Sequence, residues 1–144
     1  MSTARQMFQQ LLHAPGQSRA ARTVELFGWL ILAESPLMLL RPHWAASVLH
    51  LPALEPQAAN YFSIVGLLIG GLGMLYVASG RLSAAGFVFA SLLDRPLVPF
   101  VMAALWWWGV IPGPLAAAFA LQDGLSFFWT LFTWRAEQRA SSPK

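Results

Sequence analysis

Four long apolar stretches, separated by short polar or proline-rich breaks, set the plan of this chain. The first, Thr23 to Leu40, has eighteen residues, about 27 Å as an α-helix and just enough for a hydrocarbon core of roughly 30 Å. The second, Tyr61 to Ser79, carries no charge and no proline over nineteen residues. The third, Leu82 to Ile111, is thirty residues long, about 45 Å if wholly helical, so it either protrudes and tilts or is broken at Asp94-Arg95-Pro96. The fourth, Leu115 to Trp134, ends in a polar tail. Two shorter patterns flank these. Met7, Phe8, Leu11 and Leu12 recur at helical spacing in the polar segment 1–22, which predicts either a short helix lying on a membrane surface or a frayed terminus. Trp44, Val48 and Leu51 after Pro42 predict a short interfacial helix in the connection Arg41 to Asn60.

These patterns predict an all-α fold, an integral membrane four-helix bundle, with spans at about 23–40, 61–79, 82–111 and 115–134 inside a domain of residues 23–134 and a polar tail at 135–144. The segment 1–22 is too long and too polar to head a secretory signal peptide. Of the nine Lys and Arg, seven fall in the N-terminal segment, the second turn and the tail. Arg41 is alone on the other side and Arg95 lies within a span. Basic residues favour the cytoplasmic side, so both termini are expected in the cytoplasm.

Composition agrees: 57% of the 144 residues are hydrophobic and 10% are charged, where a soluble domain has about 25% charged. The net charge of +3 sits at ends and turns instead of forming a basic face, so no nucleic-acid partner is expected. Cysteine is absent, which excludes disulfides, thiolate catalysis and thiolate metal sites. His43, His50 and Glu55 lie in one connection without the spacing of a ligand motif, and all three histidines lie outside the spans, so no metal site and no haem held by histidines is expected.

Candidate chemistry rests on charges inside the apolar runs. Glu34 stands eleven residues past Thr23, about 16 Å into its span. Arg95 is thirteen residues before Trp108, about 20 Å from an aromatic anchor at the far interface. Asp123 lies near the middle of the fourth span, and Asp94 adjoins Arg95 as a helix cap or secondary partner. An ionisable group near a span centre costs about 2.5–3.5 kcal/mol and faces the bundle interior or a wet cavity. The four could cancel as structural pairs. Three acids against one base leave an excess of negative charge, so a carboxyl held protonated, or a site open to water, is the alternative. On the second span Gly66, Gly70 and Gly73 share one face, which allows close approach of another helix from this chain or from a second copy. Trp106 to Trp108 and Phe127 to Trp129 could line a pocket for a flat apolar ligand, or serve as interfacial belt and packing.

Several of these stretches resemble the small four-helix bacterial membrane proteins grouped as DoxX-like or BphX-like: Arg22 with Gly28, Glu34-Ser35-Pro36 with Leu39 and Leu40, Gly66 to Ala78 ending in Gly73-Met74-Leu75-Tyr76-Val77-Ala78, Arg95, and Asp123-Gly124-Leu125-Ser126-Phe127-Phe128-Trp129-Thr130. The likeness covers about residues 20–135. It implies a four-helix fold in the bacterial inner membrane and an accessory redox role, and it carries over no catalytic residue or known cofactor. The expected function is a binding or accessory protein with a polar site of Glu34, Arg95, Asp123 and Asp94 for a small lipophilic, quinone-like molecule or a membrane partner subunit. Two alternatives stand beside it. One is an isomerase-like enzyme in which Glu34 and Asp123 form an acid and base pair. The other is a proton-coupled carrier acting as a homo-oligomer, since four spans leave little room for alternating access.

Overall fold

The computed structural model describes residues 3–141; the last residues of the polar tail, Lys144 among them, lie outside it. All regular structure in the described residues is helical. Helix α1 (Ala4–His13) begins in a capping box: the Thr3 amide donates to Gln6 Oε1 at 2.8 Å and the Gln6 amide to Thr3 Oγ1 at 3.4 Å. It ends at Ala14, in the left-handed region at φ 42°. Helix α2 (Arg19–Leu40) starts at Ser18, whose hydroxyl accepts from the Ala21 amide at 3.1 Å. Its amides of Arg19 and Ala20 also donate to the Glu137 carboxylate from the far end of the chain. A carboxylate at a helix N-terminus meets both the free N–H groups and the positive end of the dipole.

Proline opens the next two helices, α3 (Pro42–Val48) and α4 (Pro56–Arg81), where its missing N–H is no loss. The third apolar stretch is helical only between Ala85 and Trp107, as α5 (Ala85–Asp94) and α6 (Leu97–Trp107). Positive φ at Ser83 and at Gly109 bounds it on the two sides. The break between α5 and α6 has a chemical cause. Pro96 and Pro99 have no N–H to give to the carbonyls of Leu92 and Arg95, and the Val98 amide closes on Arg95 O at 3.2 Å in a tighter turn. Helix α7 (Gly113–Ser141) is the last element of the described residues. Four helical units, Arg19–Leu40, Pro56–Arg81, Ala85–Trp107 and Gly113–Ser141, are long and apolar enough to cross a membrane.

Helix α2 is the centre of the assembly. It packs on α4 along one side and on α7 along another, while among the described residues the backbones of α4 and α7 stay apart. The α2–α4 contact is backbone against backbone. A Cβ added at Gly66 would come within 2.8 Å of Met38 Cβ and Leu39 N, and one at Gly73 within 2.8 Å of Leu32 N. On the facing helix, a Cβ at Gly28 would meet Val77 N at 2.6 Å. Small residues allow this approach, and dispersion over the close surfaces supplies the attraction. Helix α5 lies against α2, α4 and α7, whereas α6 touches α5 and α7 and buries none of its residues. The tightly packed core, with Ala20, Ala21, Val24, Phe27, Ile31, Tyr76 and Val88, therefore occupies the end of the molecule where α2 begins and α4 finishes. A side-chain cluster seals that end: Glu25 forms an ion pair with Arg81 at 3.1 Å and accepts hydrogen bonds from Gln17 at 2.7 Å and Trp29 at 3.2 Å.

Candidate functional site

Arg95 stands at the kink between α5 and α6, and the kink turns its side chain into the core, leaving it 1% exposed. Its guanidinium carbon lies 4.1 Å from the centroid of the Phe27 ring and 5.1 Å from that of Tyr76. Both rings offer a negative π face to the cation. Nη1 donates to Thr130 Oγ1 at 3.0 Å and to the Ser126 carbonyl at 3.3 Å. Nε and Nη2 are buried and meet no hydrogen-bond acceptor among the described residues. Thr130 is itself fully buried and sits 2.8 Å from Thr23 Oγ1. Either hydroxyl can be the donor, because each has a carbonyl for its proton when it accepts: Ala20 O at 2.8 Å for Thr23 and Ser126 O at 2.9 Å for Thr130. The arrangement thus ties α2, the kink and α7 together through one cation and two hydroxyls.

The other charges of the apolar stretches lie elsewhere. Asp94 ends α5 with its side chain exposed. Asp123 is buried on α7, one turn from Ser126. Glu34 is half-buried and accepts from Gln122 Nε2 at 3.3 Å. Among the described residues no ion pair joins Arg95 to any of the three carboxylates. Charge compensation across the interior is therefore through space, not by contact.

Glu34 and Gln122 open onto a cleft of about 210 Å³ between α2, α3 and α7. Leu37, Met38, Val48 and Phe119 give it apolar walls, and Trp44 lines it as well. The carboxylate and the carboxamide are its hydrogen-bonding side chains apart from the indole of Trp44. Neither Arg95 nor Asp123 lines it. Within this cleft Gln122 has one N–H committed to Glu34 and a second free for a guest. Among the described residues no group of three His, Asp or Glu side chains is placed to hold a metal ion.

Thr23, Phe27, Tyr76, Gln122, Ser126 and Thr130 belong to these arrangements, and charge alone does not point to them. A signal for part of the set exists in the sequence. Asp123, Ser126, Thr130, Thr133 and Glu137 recur at intervals of three and four residues, so one side of α7 is polar along much of its length. Comparison with family models, curated proteins and solved structures finds no match to this chain.

Proposed function

We propose that this chain is a multi-pass protein of the bacterial inner membrane, of the DoxX-like kind, that binds a lipophilic, quinone-like molecule in the cleft beside Glu34 and Gln122 and serves as an accessory to redox chemistry. The observation that carries the reading is the cleft itself: apolar walls around one hydrogen-bonded carboxylate and carboxamide pair. Ligand sites for small molecules combine these two features, with a few polar groups fixing orientation in an apolar pocket. At about 210 Å³ the cleft is smaller than a drug-sized pocket, which suits a single ring with its apolar tail left in the lipid. A quinone carbonyl would accept the free N–H of Gln122, and the ring would lie against Phe119 and Met38. Asp123 stands outside the cleft, which favours binding over a two-carboxyl acid and base reaction.

The test is a titration of the detergent-solubilised chain with a short-chain ubiquinone, followed by quenching of tryptophan fluorescence, with Trp44→Phe identifying the quenched residue. Saturable quenching is expected, weakened by about tenfold in Gln122→Leu, the worth of one hydrogen bond, and abolished in Ala118→Phe, which fills the cleft from α7. Equal quenching in all variants would place the ligand elsewhere and overturn the proposal.

A further inference from the structure

On the surface between the start of α2 and the second half of α7 lies a groove of about 370 Å³ lined by Arg19, Arg22, Thr23, Leu26, Trp129 and Thr133. We infer that it is a binding site for the headgroup of an anionic phospholipid, an assignment that rests on the proposal that these helices span a membrane. Three observations converge on it.

The first is unspent donor capacity. The groove's hydroxyls are committed, Thr23 to Ala20 O and Thr130, and Thr133 to the carbonyls of Trp129 and Thr130 at 2.9 Å each. The two guanidiniums are not: both arginines are exposed and neither forms an ion pair or a side-chain hydrogen bond among the described residues. Each carries five N–H donors in a planar fork that fits phosphate oxygens two at a time.

The second is spacing. Arg19 and Arg22 are three residues apart on one helix face, so their Cβ atoms lie about 5–6 Å apart and both side chains can reach one phosphate group. The nearest acid on the same helix, Glu25, is turned to the other side. Its Cβ lies against Gly80, and its carboxylate is held by Arg81, Gln17 and Trp29. The groove's own lining carries no acid; the Glu137 carboxylate stands beside it, spent on the Arg19 and Ala20 amides at the start of α2, so two guanidiniums face a single carboxylate.

The third is the change in character along the groove. Below the arginines it becomes Leu26 and Trp129, an apolar side chain and an amphipathic ring that belongs at headgroup depth. A phosphate held at the arginine end would therefore lay its acyl chain along an apolar floor. Two cations beside one capping carboxylate leave a net positive charge, which favours a headgroup of net negative charge over a zwitterionic one, whose choline it repels.

The experiment uses the whole chain in mild detergent, titrated with dioleoylphosphatidylglycerol, with dioleoylphosphatidylcholine or with inorganic phosphate, and read by retained lipid in native mass spectrometry and by thermal stabilisation. Phosphatidylglycerol should bind saturably with a stoichiometry of one and about tenfold more tightly than phosphatidylcholine. That preference should vanish in Arg19→Gln/Arg22→Gln and persist in Arg135→Gln/Arg139→Gln, which removes the same charge outside the groove. Equal losses in the two double variants would mean diffuse attraction and overturn the site. Displacement of the lipid by millimolar phosphate would make it a free-anion site and overturn the lipid assignment. Alkaline extraction of native membranes separates the two levels of inference. A chain that is extracted fails the membrane proposal, whereas one that stays and shows no lipid preference fails this inference alone.

Discussion

Thr130 Oγ1 meets the Arg95 guanidinium, the Thr23 hydroxyl and the Ser126 carbonyl at once, all within 3.0 Å. Replacing it by valine keeps the volume and removes the oxygen, so Arg95 Nη1 keeps only the longer bond to Ser126 O. Single interhelical hydrogen bonds in membrane proteins contribute modestly, but a buried cation deprived of its partner costs more than the average. Thr130→Val should therefore destabilise the chain by about 1–2 kcal/mol in unfolding titrations with an anionic denaturing detergent. Thr130→Ser, which keeps the oxygen, should lose about half as much. A larger loss in Thr130→Ser than in Thr130→Val would show that the methyl group and not the hydroxyl matters. The ionisable groups of this interior stand out in the sequence because a charge in an apolar run is conspicuous. Their partners do not. A threonine in a helix can return its proton to the carbonyl one turn back and face lipid without penalty, so its type alone does not say that it reaches a cation 35 residues away.

Between α2 and α4 the controlling feature is how closely two backbones lie. The spacing of Gly66, Gly70 and Gly73 puts them on one face by helical geometry alone, but what covers that face is a tertiary fact, and it is α2, through Met38 and Leu39, Ser35, and Leu32 with Gly28. The contact makes a paired prediction. Gly73→Ala would place a methyl within 2.8 Å of Leu32 N and 3.0 Å of Gly28 O, atoms of the backbone that cannot step aside singly. Overpacking of this kind costs about 1–3 kcal/mol. Gly71→Ala, two positions away, meets nothing within 4 Å and should be neutral to within about 0.5 kcal/mol. The same denaturation assay reads both, and similar effects at the two positions would refute the close contact as a source of stability. Length and hydropathy mark all four long helical units in the sequence, since each must satisfy its own backbone. The ends of the third are less legible: no charge within Leu82 to Ile111 marks either end, and only the backbone turns at Ser83 and Gly109 show where helix gives way.

Taken together, the helices divide the molecule into a dense end and an open one. The buried cluster around Val24, Phe27 and Tyr76, the Arg95 network and the Glu25 to Arg81 latch all lie toward the end that holds both described termini. The Glu34 cleft lies toward the end closed by α3, where α6 leans on α7 without reaching α2. The distribution of Lys and Arg gives this polarity a direction. Basic residues are retained on the cytoplasmic side, and they concentrate at the dense end, in Arg5, Arg19, Arg22, Arg81, Arg135 and Arg139. On the proposed membrane reading the rigid half then faces the cytoplasm and the cleft opens near the outer surface, where a lipophilic guest could enter beside α3. The absence of cysteine makes the orientation measurable without background. Gln10→Cys, Ala53→Cys and Ala140→Cys each place one thiol at an exposed position. In intact cells opened only at the outer membrane, an impermeant maleimide should label Ala53→Cys at once and the other two only after the inner membrane is permeabilised. If Ala53→Cys and Ala140→Cys label from the same side, the helices do not cross as four spans, and the cleft loses the outward opening on which its access to lipid-borne ligand depends.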